Sequence, residues 1–184
     1  NLLHEAEVAY KKAISLNNNE PQYYVNLAQL YIAQKNIEKA EDISTTAINK
    51  GIANDSLYIL TGQIQSLMKN PYKAINTMRH LIYRNNKYIP AHMFLINLLI
   101  QTNQLKEAED TLKAIISSNP DHLGLKCLME RIKFKNGDKD SAITFIHTTL
   151  EANPSNGNVF HDLGNLCIEI ERYNTAIKQK KKYL

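Results

Sequence analysis

Histidine, cysteine and acidic side chains are the groups in this chain that could do chemistry, and their spacing predicts no metal site. Two histidines of one helix commonly share a metal when they lie about three to five residues apart. None of the six histidines has such a neighbour. We therefore expect neither a metal ion nor another cofactor. The histidines are His4, His80, His92, His122, His147 and His161.

Acid–base catalysis has little support from the sequence. His161 and Asp162 are adjacent, but neighbouring residues on a helix point in different directions, and no nucleophile accompanies them. An ordinary polar surface is the better interpretation of this pair. The chain also has no phosphate-binding loop, Cys-x-x-Cys or hydrolase elbow. We predict that it is not an enzyme; turnover that is lost on changing His161 or Asp162 would contradict this.

The two cysteines do not predict a disulfide. Cys127 and Cys167 fall at different helical phases, whereas a disulfide requires Cα atoms within about 7 Å. We expect both to be free thiols that are buried as small apolar residues.

Alanine recurs every 34 residues along the chain, which indicates a repeat array. Large residues recur beside it with helical spacing, and small ones such as Ala28 and Ala40 fit positions where two helices cross closely. Turn-forming segments appear about once per period, and no alternating apolar run predicts a strand. The recurring alanines are Ala6, Ala40, Ala74, Ala108, Ala142 and Ala176.

The residues around these alanines resemble the tetratricopeptide repeat (TPR). In that family the first helix carries W-x2-L-G-x2-Y, the second carries A-x3-F, and Pro closes the unit. Proline closes two units here, at Pro120 and Pro154. The second unit matches with Tyr24, Leu27, Ala28, Tyr31, Ala40 and Ala47, and the last with Phe160, Leu163, Gly164, Cys167 and Ala176.

The resemblance implies an all-α fold, a right-handed superhelical solenoid of antiparallel helix pairs that forms one domain over residues 1–184. Because the chain begins and ends inside a hairpin, we expect it to be part of a longer protein, with terminal repeats whose exposed faces allow self-association. The predicted repeats are 1–20 (second helix only), 21–54, 55–88, 89–122, 123–156 and 157–184 (truncated).

The resemblance also implies a concave groove lined by first helices, at repeat positions five, six and nine. Amides at position nine form a row that can hydrogen-bond an extended peptide backbone, and the apolar residues beside them can receive its side chains. The predicted peptide-binding residues are Asn26, Gln29, Ile59, Leu60, Gln63, Met93, Phe94, Asn97, Leu128, Arg131 and Asn165.

The alternative is that some of the apolar residues belong to the core, because a superhelix buries much of each first helix. The family's chaperone-tail binders hold a terminal carboxylate with lysine, asparagine and arginine. Val25 and Ile59 occupy a phase where such a lysine would be useful, and only Asn26 and Arg131 remain from that set. An acidic chaperone-type tail is therefore not the expected ligand.

The charge pattern does not favour nucleic acid as a partner. Four lysines near the end of the chain account for the whole net charge of +4. A solvated last helix explains them better than an anionic partner or membrane surface. No run of about 18 apolar residues predicts a membrane span, and the first residues of this sequence do not form a signal peptide, although a targeting segment could lie outside them. The four residues are Lys178, Lys180, Lys181 and Lys182.

One repeat departs from the pattern. At its consensus positions it carries Lys126, Met129, Glu130 and Lys133, so charges stand at three sites that are normally apolar or small. Their spacing allows mutual pairing. Our hypothesis is that this hairpin is locally loosened.

Two functional classes remain open. The first is a non-catalytic protein–protein interaction module that binds a peptide or helix in its groove and acts as an adaptor or scaffold. The second is an assembly or substrate-recruiting domain of a larger enzyme whose catalytic part lies outside this chain. A longer full-length protein would favour the second.

Overall fold

At the starts of six of the described helices a side chain accepts a hydrogen bond from a backbone N–H of the first turn. The computed structural model describes residues 2–152, 157, 161 and 163–171. In it, Oδ1 of Asn54 accepts from the backbone N–H of Leu57 at 2.9 Å. Within these described residues there is no strand, so the all-α prediction is confirmed. The helices are α1 (Leu2–Leu16), α2 (Pro21–Ala33), α3 (Ile37–Asn49), α4 (Asp55–Leu67), α5 (Pro71–Arg84), α6 (Ile89–Gln101), α7 (Leu105–Ile116), α8 (Leu123–Lys135) and α9 (Lys139–Glu151), and residues 163–171 are also helical.

The turn inside each hairpin has one backbone geometry that recurs at the repeat spacing. Residue 35 has φ +60°, residue 69 has +57°, residue 103 has +61° and residue 137 has +103°. At each of them the next N–H bonds back to a carbonyl five residues earlier, as from Asn36 to Tyr31 at 2.9 Å. This is the Schellman ending of a helix, and it turns the chain into the second helix. Only the last of the four positions is a glycine, Gly137.

Internal contacts divide the chain into two compact units, Asn1–Leu98 and Leu99–Leu184. In the first unit, α2 packs on α1 and α3, and α4 packs on α3 and α5. Ala28 and Ala40 are completely buried, as their small size at a close helix crossing predicts. The large side chains of Leu27 in α2 and Leu57 in α4 are also buried. The first unit is therefore held by large side chains that pack around small ones.

In the second unit, α8 packs on α7 and α9. Its apolar core joins α8 and α9 to the helical residues 163–171. Ala108 and Ala142 are completely buried, as their counterparts in the first unit are. The core contains Cys127, Phe134, Ala142, Ile146, Leu163, Leu166 and Ile170.

The expectation that both cysteines are buried is wrong for one of them. Both are free thiols, and Cys127 lies in the core, but Cys167 is exposed. Cys167 stands one residue after the buried Leu166, so the helix turns its side chain about 100° away from that core residue.

Candidate functional site

The first unit contains eight of the predicted groove residues, on α2, α4 and α6. Gln29 and Gln63 are exposed. Leu60 is buried, with 8% of its surface exposed. The half-buried members are Asn26, Ile59, Met93, Phe94 and Asn97.

The amides of this set differ in their hydrogen bonds. Nε2 of Gln22 donates to Oδ1 of Asn26 at 2.8 Å. Nδ2 of Asn97 donates to the carbonyl oxygen of Met93, one turn earlier, at 2.9 Å. The side chains of Asn26 and Asn97 are therefore oriented by their own helices. The longer glutamines on α2 and α4 extend into solvent and have the greater reach toward a ligand.

The apolar members separate into core and surface residues. Leu60 belongs to the core, which was the alternative interpretation for the apolar residues of this set. Its prediction as a peptide-contact residue is therefore corrected. Phe94 is half-buried and packs against Gly62 of α4: its Cε1 atom lies 3.0 Å from the position of a β-carbon on that glycine. Ile59 and Met93 are likewise half-buried. These three side chains retain apolar surface that a ligand can contact.

The second unit holds the other predicted groove residues in a different setting. Leu128 is buried, with 4% exposed, and so is a core residue rather than a contact residue. Nε of Arg131 bonds Oε2 of Glu169 at 2.9 Å, which commits the guanidinium to an ion pair within the protein. Asn165 and His161 are exposed. Asp162, the other half of the His161 pair, lies outside the described residues, as do the four C-terminal lysines.

Glu169 is the acidic centre of this ion-pair cluster. Nζ of Lys135 lies 2.6 Å from its Oε1, and Arg131 bonds the other oxygen. Burial raises the pKa of Glu169, but the hydrogen bond from Lys135 and the charge of Arg131 outweigh it, so its pKa lies below the usual value. The cluster is therefore ionised at neutral pH and joins α8 to the following helix.

Two of the charged residues at normally apolar or small repeat positions, Glu130 and Lys133, form an ion pair. Glu130 is buried, with 7% exposed. Its Oε1 accepts from Nζ of Lys133 at 2.8 Å, and its Oε2 accepts from Oγ of Ser141 at 2.7 Å. The predicted pairing of Glu130 with Lys133 is confirmed. Ser141, on α9, is the partner that the sequence pattern missed.

His92 has a structural role in the first unit. Nε2 of His92 lies 2.9 Å from the carbonyl oxygen of Asn86. Tyr24 occupies the same repeat position as His92, and its Oη donates to the carbonyl oxygen of Asn18 at 2.9 Å. Both side chains therefore contact a carbonyl oxygen six residues earlier in the chain. Because a carbonyl only accepts, Nε2 of His92 carries the proton. Its buried Nδ1 has no hydrogen-bond partner among the described residues.

Two clefts of the first unit are lined by residues other than the predicted groove residues. One, of about 580 Å³, opens beside Glu41, Gln65 and Lys73. In this cleft Nζ of Lys73 donates to Oε1 of Glu41 at 3.0 Å. Another, of about 350 Å³, lies between α1, α2 and α3 beside Tyr31. Neither contains a set of groups suited to catalysis.

Metal-binding clusters and membrane-spanning helices are both absent from the described residues. No three side chains of His, Cys, Asp or Glu come together there in a way that could hold a metal ion. None of the helices in the same residues combines the length and apolar character that crossing a membrane requires.

Two family models match the chain, and both describe the tetratricopeptide repeat. They cover residues 9–42 and 68–132, which together exceed half of the chain. The chain belongs to the tetratricopeptide repeat family. Its fold is that of proteins that commonly bind other proteins or peptides, which is typical of a protein–protein interaction module. No curated protein sequence matches it.

Solved structures show the same fold at low sequence identity. YrrB, a TPR protein with an unusual peptide-binding site, is 19% identical with a TM-score of 0.65, over 88% of this chain and 83% of that one. A TPR protein from Parabacteroides merdae is 18% identical with a TM-score of 0.74, over 98% and 72%. A chain of the APC/C hetero-tetramer Cut9–Hcn1 is 13% identical with a TM-score of 0.66, over 96% and 35%. These similarities concern the fold alone.

Proposed function

We propose that the chain is a non-catalytic adaptor or scaffold that binds an extended peptide of another protein across the first helices of residues 2–98. The proposed contact surface, called the first-helix face below, consists of Gln29, Ile59, Gln63, Met93 and Phe94. Asn26 and Asn97 border it. The observation that carries the proposal is the exposure of two glutamines, at one repeat position, beside three half-buried apolar side chains.

The chemistry of this face fits a peptide backbone with apolar side chains. Each glutamine both donates and accepts, so Gln29 and Gln63 can bond successive carbonyl and N–H groups of an extended strand. Met93 is flexible enough to follow an irregular surface, and Phe94 supplies area with a defined shape. The face carries no charged residue. We therefore expect a ligand with uncharged, apolar side chains rather than an acidic tail.

The second unit contributes less to this proposal. Leu128 is in the core and Arg131 is bonded to Glu169, whereas Asn165 is exposed. We place Asn165 outside the first-helix face and assign the main contacts to residues 2–98.

The experiment selects peptide ligands for the purified chain from a random library and measures their affinity by fluorescence polarisation. Gln29→Ala with Gln63→Ala removes the exposed amides and is expected to weaken binding about tenfold, as loss of hydrogen bonds worth about 1.4 kcal/mol predicts. Met93→Glu, which places a charge on the face, is expected to weaken it further. Circular dichroism checks that each variant retains its helices.

The matched control is Gln101→Ala, since Gln101 is an exposed glutamine of α6 at a different repeat position. It is expected to bind as the unmodified chain does. If every selected peptide binds all of these variants equally, the ligand site lies elsewhere and the proposal is wrong.

A further inference from the structure

The first helix α4 ends in an exposed leucine that the first-helix face does not include. Leu67 is 62% exposed, whereas Leu57 and Ile64 of the same helix are completely buried. It follows the exposed Gln63 by four residues and so lies on the same side of α4, about 6 Å further along the helix. A single exposed leucine is ordinary on a protein surface. Its place beside an amide of the proposed binding surface is what gives Leu67 a role.

The neighbouring first helix α2 repeats this arrangement with a smaller residue. Ala33 stands at the repeat position of Leu67 and is also exposed. It follows Gln29 by four residues, as Leu67 follows Gln63. Because α2 and α4 pack on each other, the two pairs lie side by side. Ala33 and Leu67, called the turn-side row below, therefore border the glutamines on the side where each first helix ends.

The glutamines consequently lie between two sets of apolar side chains. Ile59 stands one turn before Gln63, and Leu67 stands one turn after it, so each is about 6 Å from the glutamine along α4. Met93 of α6 has the repeat position of Ile59, and Phe94 is next to it in the chain. A ligand backbone that follows the glutamines therefore has apolar surface on both of its sides.

An extended strand that bonds the glutamines directs its side chains toward both sets. The N–H and C=O groups of a strand point at right angles to its side chains, and successive side chains point in opposite directions. When the backbone faces Gln29 and Gln63, one side chain lies on the set of Ile59 and the next lies on the turn-side row. Helices in contact are about 8–10 Å apart, a distance that a strand crosses in about three residues. Consecutive residues of the ligand therefore meet apolar surface.

The turns beyond the turn-side row are positively charged. Lys35 and Lys69 come two residues after the members of this row, and both are exposed. Within the described part of the chain, no ion pair holds either ammonium group. The sequence between Ser56 and Lys106 contains no aspartate or glutamate that would offset Lys69. Because charge of one sign attracts the opposite sign and repels its own, these turns favour an acidic partner over a basic one.

We propose that the first-helix face binds an extended segment of a partner protein in which at least about four consecutive residues are aliphatic and the neighbouring residues are acidic. This inference rests on the proposed function and adds the sequence class of its ligand. The aliphatic run covers the set of Ile59 and the turn-side row together. The acidic residues lie beyond the uncharged face, near Lys35 and Lys69. A sequence that is apolar only at every second residue leaves the turn-side row uncovered.

The test uses two fluorescein-labelled peptides of the same composition, four leucines and four threonines between terminal aspartates. The leucines are consecutive in one peptide and alternate with threonine in the other. We expect the whole chain to bind the consecutive peptide about tenfold more tightly, measured by fluorescence polarisation, because it buries leucine on both sets. Leu67→Ser is expected to remove this preference and to leave the affinity for the alternating peptide unchanged. Leu67 is exposed, so the variant retains the fold.

Leu16→Ser is the matched control, because Leu16 is a leucine of α1 that is 75% exposed and lies outside both sets. It is expected to preserve the preference. Equal binding of the two peptides, or a preference that survives Leu67→Ser, would overturn the inference. If the change of Gln29 and Gln63 to alanine still weakens both peptides in that case, the proposed function stands without it. Failure of both peptides to bind would also overturn the inference, and the peptides selected from the random library would then decide the proposed function separately.

The acidic neighbours are tested by replacing both aspartates of the consecutive peptide with lysine. The lysine-ended peptide is expected to bind severalfold more weakly at low salt, and added salt is expected to reduce the difference. Lys69→Gln is expected to reduce it as well. Lys12→Gln is the control, since Lys12 is an exposed cation of α1 and its loss changes the net charge equally. Equal affinity of the two peptides, or equal effects of the two variants, would overturn the assignment of acidic residues to the ligand.

Discussion

Phe94 of α6 lies against the backbone of Gly62 of α4, with its Cε1 atom 3.0 Å from the place of a β-carbon on the glycine. Met78 of α5 approaches the same place to 2.8 Å. The absence of a side chain at Gly62 therefore lets three helices of the first unit meet, and it sets how far Phe94 projects from the first-helix face.

Replacing this glycine with alanine is expected to give little or no stabilisation. Alanine in a helix is favoured over glycine by about 1 kcal/mol, but in Gly62→Ala the new β-carbon displaces Met78 and Phe94, which offsets the gain. Gly164 stands at the same repeat position with nothing within 4 Å of its β-carbon site. We expect Gly164→Ala to raise the free energy of unfolding by about 0.5–1 kcal/mol. Urea unfolding of the two variants compares them, and equal gains would show that the contact at Gly62 is unimportant.

Substitutions at two turn residues with positive φ are expected to change the stability of the fold in opposite directions. Lys69 adopts φ +57°, a region that disfavours side chains by about 1 kcal/mol or more. Lys69→Gly is expected to stabilise the chain by up to about 1 kcal/mol, less the entropy that glycine adds to the unfolded state. Gly137 has φ +103° and nothing near its β-carbon site, so Gly137→Ala is expected to destabilise by about 1 kcal/mol through backbone strain alone. Thermal unfolding measures both; a loss of stability in Lys69→Gly would contradict the first expectation.

The buried carboxylate of Glu130 predicts non-additive changes. Lys133→Leu removes one partner and is expected to cost about 1–3 kcal/mol. The double change Glu130→Ala with Lys133→Leu also removes the charge and restores small and apolar residues at these positions. It is expected to be more stable than Lys133→Leu alone. A double-mutant cycle from denaturant unfolding measures the coupling, and additive changes would show that the pair contributes nothing.

The loosened hairpin stays a prediction. Amide hydrogen exchange is expected to be faster in residues 123–150 than in residues 22–50, because the former hairpin holds paired charges where the latter holds apolar and small residues. Ser141 strengthens the pairing of Glu130, which works against this expectation. Equal protection of the two hairpins would therefore mean that the three polar groups compensate fully for the apolar residues they replace.

Glu169 predicts a pH dependence with a defined sign. Its pKa is lower in the folded chain than in the unfolded one, so the ion pairs stabilise the fold above the unfolded value of about 4.3 and are lost as pH falls through the folded value. Lys135→Gln is expected to lower the free energy of unfolding at pH 7 by roughly 0.5–1 kcal/mol, with a smaller difference near pH 3. Lys113→Gln, which removes the exposed pair with Glu109, is expected to have less effect at pH 7. A difference for Lys135→Gln that grows in acid would contradict the assignment.

The repeat pattern predicted the helices better than it predicted the surface. Alanines such as Ala40 fixed the phase of every hairpin, because a close helix crossing tolerates only small residues. Leu60 and Phe94 occupy the same repeat position, yet one is buried and the other half-buried. The sequence shows that both side chains are apolar, but it does not show which neighbours cover them. In the structure Phe94 packs against Gly62.

Two further features are not evident from the composition of the whole chain or from helical spacing. The terminal lysines account for the net charge of +4, and this total conceals the absence of acidic residues between Ser56 and Lys106. The bond between Glu130 and Ser141 joins different helices, so helical spacing within α8 could not predict it.

Packing between helices that are neighbours along the chain also bears on how the protein is made. In the described part of the first unit, the most extensive contacts join helices one or two places apart, so forming them closes only short loops. Folding is therefore expected to be fast, to begin at whichever hairpin forms first, and to spread to the next. A chain leaving the ribosome can complete each hairpin before the following one has been synthesised.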